Sequence, residues 1–398
     1  MKEKVFLYII ATLIFTIGCS SNRRPEGGLA CVDVRKNYPV KEINLNDIAD
    51  VSYVHLNTEN KDYLYKGGIV YKSEKIIVIR DDTSGSILFF SNKGNPKSRF
   101  NRYGTGPEEY SSMTSTIIYD ESVDDLFVFT HEKILAYSST GEHKRTLTLP
   151  KGISADQVVD FDDLSLLAYD SNILLKKTRK QSDVKPFSTH YRDSSFFLIS
   201  KTDGKVLDYV VLPNNEIDLS YSLRGGLIRT VPLYNRVVRC AEGALLFNHE
   251  TDTIFLYGKD KSLIPIICKK PLVRELDPAV ILDEFIDIGK FQLMKVETLC
   301  EDNGSKGKYP PKYYVRDKKT GEIFNQKMML SDYKGREVII TARNMRFDGK
   351  EALAIFEFDL FELKQAYNEN KLSGNLKELV SILDENEDNN VFMFVNFI

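Results

Sequence analysis

The chain has 398 residues, with 54 Lys and Arg against 57 Asp and Glu, a formal net charge of −3 and a pI near 6.1. That balance lacks the concentrated positive field of a nucleic-acid binder and excludes nucleic acid as an expected partner. Trp is absent while Phe and Tyr number 23 and 21, an aromatic composition that favours strands over helices.

The first element in chain order is a charged tip, Lys2-Glu3-Lys4, followed by an apolar run from Val5 to Gly18. That run is shorter than the roughly 20 residues of a permanent membrane helix. It suits the core of a signal peptide, and small Gly18 before Cys19 suits a cleavage site. The segment resembles a bacterial lipoprotein signal, with Thr16 standing where the commonest form has Leu. The resemblance implies removal of residues 1–18 and attachment of diacylglycerol to the sulfur of Cys19, so that the membrane becomes a partner through an N-terminal lipid. Ser20 to Gly28 is polar and shows no helix or strand period, and residues 19–40 are expected to form a flexible lipidated tether. Ser20-Ser21-Asn22-Arg23-Arg24 lacks the acidic run that resembles a surface-export signal. This points to an outer-membrane lipoprotein of the cell envelope that faces the periplasm.

Short apolar runs separated by turns fill the rest of the chain. Residues 114–149 are the clearest: Ser115-Thr116-Ile117-Ile118-Tyr119, Leu126-Phe127-Val128-Phe129, Ile134-Leu135-Ala136-Tyr137 and Arg145-Thr146-Leu147-Thr148-Leu149. Runs of four or five residues are strand-length, and four joined by hairpins make one antiparallel meander. The unit recurs, since Ser86 to Gly94 aligns with Lys133 to Gly141 at an offset of 47. Weaker echoes run from Phe197 to Gly204, from Ile254 to Gly258 and from Tyr314 to Gly321. A sixth unit fits Glu337-Val338-Ile339-Ile340 with Ala352 to Phe356. A lone meander cannot bury both faces, whereas radial stacking buries each against a neighbour. The expected fold is therefore all-β: one six-bladed β-propeller of four-stranded antiparallel blades over residues 41–398. At about 63 residues per unit the blades exceed the roughly 40–45 of a compact one. Long loops and a short helical insertion near the C-terminus take up the surplus. Leu360, Leu363 and Tyr367 share one helical face, as do Leu376, Leu379, Val380 and Leu383. Val391 to Val395 then returns to strand, to close the ring beside the start of the chain.

If Cys19 carries lipid, Cys31, Cys240, Cys268 and Cys300 remain. Cys240 and Cys268 end the first and fourth strands of one unit, about 14 Å apart at 4.8 Å per strand and beyond disulfide reach. Buried free thiols are the preferred expectation.

No HExxH, GxSxG, Walker A or EF-hand pattern occurs, and the five histidines are scattered. The most distinctive segment is Arg102-Tyr103-Gly104-Thr105-Gly106-Pro107-Glu108-Glu109-Tyr110, a rigid crossing between two units. It resembles the G-x-G-P-x-E-Y signature of the six-bladed, NHL-like β-propeller lipoproteins of gut Bacteroidetes. Asp252-Thr253-Ile254-Phe255 and Asn389-Asn390-Val391-Phe392-Met393 agree with the same resemblance. That family is defined by fold, and its members mostly lack an assigned activity.

Five residues are candidate ligand contacts at one mouth of the channel: Arg102, Glu109 and Tyr110 from this crossing, with Arg224 and Arg229 from the loop after Leu219. Arginine forks match carboxylates and phosphates, which suits an anionic or polyhydroxylated ligand. The alternative is that Glu109 and Tyr110 pack between blades and that the arginines lie on solvated turns. The expected function is a membrane-anchored, non-catalytic binding or scaffolding propeller for a small molecule, a glycan or a protein, with no cofactor evident. The alternative is a propeller-type hydrolase or lyase holding a divalent metal such as calcium in its channel. Such carboxylate ligands would come from several blades and leave no local motif.

Overall fold

The computed structural model describes residues 29–397 apart from 59, 111–115, 131–132, 171–193, 214–220, 223–227, 230–235, 248–251, 277, 299–308, 348–351 and 385–387. Cys19, Arg224 and Cys300 lie outside the described residues.

Six antiparallel sheets stand around an axis as the blades of a β-propeller. Blade 1 runs Gly67–Lys72, Ile76–Asp81, Ile87–Ser91 and Pro96–Phe100. Blade 2 runs Ile117–Asp120, Asp125–Phe129, Lys133–Tyr137 and His143–Thr148. Blade 3 comprises Gln157–Asp160, Ser165–Tyr169, Phe196–Ser200 and Val206–Val210. Blade 4 comprises Val237–Cys240, Gly243–Leu246, Thr253–Gly258 and Leu263–Lys270. Blade 5 is built from Val280–Ile288, Phe291–Thr298, Lys312–Asp317 and Ile323–Met329. Blade 6 takes Met345–Phe347, Ala352–Phe358 and Val391–Phe397, and its outermost strand is β3 (Ala49–His55), from the other end of the chain. Val391–Phe397 and β3 pair antiparallel over seven residues, closing the ring as the sequence predicts. The first strands of blades 1, 2, 3, 4 and 6 approach one another, so first strands are innermost and fourth strands form the rim.

Alternation along the middle strands explains the stacking, because neighbouring residues point to opposite faces. In blade 1, Phe89 buries against Tyr119 and Leu135 of blade 2, while Phe90 buries against Leu353 and Phe394 of blade 6. Equivalent apolar layers lie between blades 2 and 3 (Phe127, Phe197), 3 and 4 (Tyr169, Tyr257), 4 and 5 (Ile254, Phe285) and 5 and 6 (Phe324, Met393).

The offset-47 repeat has a steric cause. Gly94 and Gly141 sit at positive φ, 85° and 83°, in the turns before the fourth strands of blades 1 and 2. Each turn is pressed on the end of the preceding blade's rim strand. A Cβ at Gly94 would overlap the His55 carbonyl, and one at Gly141 would overlap the Phe100 side chain. Only glycine meets both demands, left-handed backbone and close approach.

Three expectations are corrected. The segment 19–40 is not tether throughout: β1 (Ala30–Asp33) adds parallel to the rim strand of blade 4, and β2 (Val40–Asn44) adds parallel to that of blade 5. Glu337–Val338 belongs to the outside of blade 5, and the first strand of blade 6 is Met345–Phe347. Cys31 and Cys268 are not free thiols; they form a disulfide, because β1 lies directly beside the strand that carries Cys268. Cys240 is a free cysteine, and burial pushes its thiol up to about 11.

The helical insertion lies between the second and third strands of blade 6. Asp359 accepts from the Glu362 N–H at the start of the helix Leu360–Asn368, and Asn390 accepts from Leu360 N–H at 3.1 Å. Leu360, Leu363 and Ala366 of this helix, with Leu376 and Val380 of the helix Gly374–Ile382, join the layer between blades 5 and 6.

Candidate functional site

The two faces of the ring are built differently. In blades 1 to 5 the first-to-second and third-to-fourth strand connections are turns of two to five residues, all on one face. The opposite face carries the crossings between blades and the second-to-third connections. Its long segments are 170–195 in blade 3, 211–236 between blades 3 and 4, 299–311 in blade 5 and 359–390 in blade 6.

The crossing 102–110 lies on that long-connection face, and its residues are committed to one another. The Tyr110 side chain is fully buried; its hydroxyl accepts from Arg102 N–H at 3.0 Å and donates to the Gly85 carbonyl at 2.8 Å. The Glu109 carboxylate accepts from Gly106 N–H at 2.8 Å and fills the space a Cβ on Gly104 would need. Arg102 Nε donates to the Gly141 carbonyl of blade 2 at 2.9 Å. Tyr137 and Lys133 of blade 2 donate to the carbonyls of Glu108 and Pro107, each at 2.7 Å. The glycines, Glu109 and the Tyr110 hydroxyl therefore rigidify the crossing, Arg102 and the carbonyls of Pro107 and Glu108 tie it to blade 2, and the Tyr110 phenol is buried. The packing alternative describes Tyr110, while Arg102 is exposed and Glu109 half-buried. Arg229 ends a two-residue strand whose backbone pairs with Tyr221.

Two lysine-centred clusters mark the ends of the axis. On the short-turn face, Lys201 Nζ lies 2.6 Å from Asp120 and 2.7 Å from Asp160, at the ends of the innermost strands of blades 2 and 3. Arg239 of blade 4 holds the other oxygen of Asp160 at 2.8 Å. Burial opposes the Lys201 charge, but Asp160 and Asp120 outweigh it and hold its pKa above the ordinary value. Burial likewise opposes ionised Asp120, but hydrogen bonds from Lys201 and Ser122 bring its pKa below the usual carboxylate value.

On the long-connection face, Lys295 of blade 5 sits among three carboxylates: Asp283 at 2.8 Å, Glu284 at 3.6 Å and Glu297 at 2.5 Å. The register slips between Leu282 and Glu284, leaving Asp283 as an extra residue in the innermost strand. Such a bulge re-aims side chains, and here two adjacent acids are buried within an apolar strand. Ala342 N–H, just before the first strand of blade 6, donates to Glu284 at 2.7 Å. Arg236, fully buried just before the first strand of blade 4, bears electrostatically on Asp283. The cluster thus joins the starts of the innermost strands of three blades. Burial raises the pKa of Asp283 and of Glu284, against the pull of Lys295. Lys295 itself is held above its ordinary value, because its carboxylate partners outweigh burial. Glu297, with 35% of its side chain exposed, opens the cluster to solvent.

Sequence reasoning missed this cluster. Its visible trace is Asp283-Glu284 inside the apolar run Val280 to Ile286, and Lys295 inside Leu293 to Val296. Among the described residues no group of three or more His, Cys, Asp and Glu is arranged to hold a metal ion; the blade 5 carboxylates surround an ammonium instead. Also among the described residues, no helix is long and apolar enough to cross a membrane.

Comparison with known proteins bears on the fold. Residues 21–207 match the DUF5128 family, described as a 6-bladed beta-propeller. No curated protein matches the chain. Among solved structures, a protein of Bacteroides fragilis described as exported is 14% identical and has a TM-score of 0.58, with 93% of this chain and 100% of that chain covered. Virginiamycin B lyase of Staphylococcus aureus is 11% identical with a TM-score of 0.34, over 70% of this chain and 74% of that one. The N-terminal domain of Nup159 is 8% identical with a TM-score of 0.39, over 83% and 77%. What the strand order and the family match establish together is a six-bladed β-propeller.

Proposed function

We propose that this chain is a non-catalytic binding propeller of the bacterial cell envelope, anchored through lipid on Cys19 to the periplasm-facing side of the outer membrane, that receives a polyhydroxylated ligand such as a glycan on its long-connection face. The observation that supports it best is the cluster around Lys295, a set of carboxylate acceptors about a cationic donor, with Glu297 open to solvent near the starts of the innermost strands. Concave surfaces with a few convergent polar groups are the usual sites for small ligands. Carboxylates accept from sugar hydroxyls, and Lys295 donates to them. Arg224 and Arg229, from the 211–236 connection, are proposed as further donors. Tyr110, whose side chain is buried, is assigned to the blade clasp, and Arg102 and Glu109 are kept as proposed ligand contacts at its edge.

The anchor is tested by Cys19→Ala, which should release the protein from membranes or leave an uncleaved precursor. Binding is tested with the soluble Cys19→Ala protein against neutral and acidic oligosaccharides, read as a rise in Tm. A rise that disappears in Glu297→Gln supports the reading. A rise caused by calcium and reversed by EDTA would favour the metal-dependent hydrolase or lyase instead.

A further inference from the structure

The position of the N-terminal strand bears on how a lipid-anchored form of this propeller would stand on its membrane. β1 runs parallel to the rim strand of blade 4, with Ala30 beside Ile267 and Asp33 beside Lys270. That rim strand leaves the short-turn face at Leu263 and ends on the long-connection face at Lys270. The chain preceding Ala30 therefore heads toward the short-turn face. Its root cannot slide, because Cys31 is disulfide-bonded to Cys268. Eleven residues lie from Cys19 to the residue before Ala30, a reach of at most about 40 Å at 3.3–3.6 Å per residue.

Exposed apolar side chains lie on both faces, and three of them flank the short-turn side of blades 3 and 4. Leu164, Leu207 and Ile264 are 74%, 54% and 38% exposed, and all three lie at or next to short-turn-face turns of blades 3 and 4. Leu164 is in the first turn of blade 3, where its carbonyl accepts from Lys201 N–H at 3.0 Å. Leu207 is the second residue of the rim strand of blade 3, and Ile264 the second of that of blade 4. A contact of 3.6 Å between Lys261 and Asp208 stitches these two rims together. The charges nearby are mixed in sign, Lys205 with Asp203 and Lys261 with Asp208. Such a surface suits apolar insertion at an interface better than attraction to anionic headgroups.

We infer that the short-turn face of blades 3 and 4, with Leu164, Leu207 and Ile264 at its edge, rests on the lipid bilayer that holds the anchor. The occupant is the membrane surface itself. The long-connection face with the Lys295 cluster then points away from the bilayer, open to a ligand. This inference rests on the lipidation of Cys19.

The chain contains no Trp, so one introduced Trp is a unique reporter. Full-length lipidated Leu164→Trp and Leu207→Trp proteins are reconstituted in phosphatidylcholine vesicles with and without brominated acyl chains. Tyr103→Trp, 60% exposed on the crossing from blade 1, serves as the control. Insertion to about 5–10 Å should quench the first two by roughly half or more and leave the control near its unquenched value. Flotation with the vesicles reports anchoring separately. Protein that floats with Leu164→Trp and Leu207→Trp unquenched, or quenched no more than the control, overturns the orientation alone; that pattern would point to a protein partner on the apolar edge. Protein that does not float overturns the lipid anchor, and the orientation with it.

Discussion

The two ends of the propeller axis each bury a lysine among carboxylates, and the two clusters are balanced differently. Lys201 and Arg239 face Asp120 and Asp160, two cations against two anions, three of them on innermost strands and Lys201 in the third-to-fourth turn of blade 3. Lys295 faces Asp283, Glu284 and Glu297, and buried Arg236 adds its charge on Asp283, two cations against three anions. In the first cluster the partners reinforce each other's charge, so Asp120 titrates low. In the second, burial acts on an excess of acid, so Asp283 and Glu284 titrate high. Matched charge at the short-turn end fastens blades together. Unmatched acid at the long-connection end is a cost to folding, which makes it a better candidate for function than for stability.

The largest expected effect breaks the matched cluster. Lys201→Met removes a cation that is 7% exposed and leaves Asp120 without its ion-pair partner; the loss should be about 3–5 kcal/mol. Chemical denaturation at pH 7 measures it, and a loss below about 1 kcal/mol would place this cluster among ordinary surface pairs.

Next is the covalent tie of β1. Cys31→Ser opens a link between residues 237 apart in sequence and should lower stability by about 2–5 kcal/mol. Residues 29–40 should then become sensitive to protease before the rest of the ring. Unchanged proteolysis would mean that β1 and β2 are held by their strand pairing alone.

Tyr110→Phe separates the clasp from the ligand mouth on the same face. It leaves Arg102 N–H and the Gly85 carbonyl without their shared hydroxyl, a loss of about 1–3 kcal/mol. Ligand-induced shifts in Tm should be retained. Lost binding with unchanged stability would return Tyr110 to the site.

The smallest change carries the most direct test of the contrast. Asp283 and Glu284 have folded-state pKa values above their unfolded ones. Their contribution to stability is complete below about pH 4 and is lost as the pH rises through the folded-state values. Asp120 has the opposite sign: its contribution is present above about pH 4 and is lost as the pH falls through its lowered value. Asp283→Asn should therefore be neutral or stabilising by up to about 1 kcal/mol at pH 7–8, with the difference shrinking toward pH 4. Asp120→Asn should be destabilising at pH 7 and harmless in acid. Parallel pH profiles for the two variants would remove the distinction between the ends of the axis.

The local part of this fold was legible in the sequence. Runs such as Leu126 to Phe129 are too short for helices and too apolar on both faces for a single covered sheet, so stacked meanders follow from their length and burial alone. The repeated glycines Gly94 and Gly141, the helical faces of Leu360 and Leu376, and the return to strand at Val391 were visible for the same reason, since each is a statement about neighbours in sequence. The clasp chemistry of Gly104, Gly106, Glu109 and Tyr110 was visible as rigidity, although not as the hydrogen bonds that cause it. Tertiary structure decided what depends on distant partners. Cys31 meets Cys268 only because β1 lands on the rim of blade 4, and no spacing encodes that landing. Asp283, Lys295 and Arg236 come from different strands and blades and converge only where the innermost strands begin. A strand's own residues set its length and its two faces, whereas which strands adjoin at an axis is set by the closure of the whole ring.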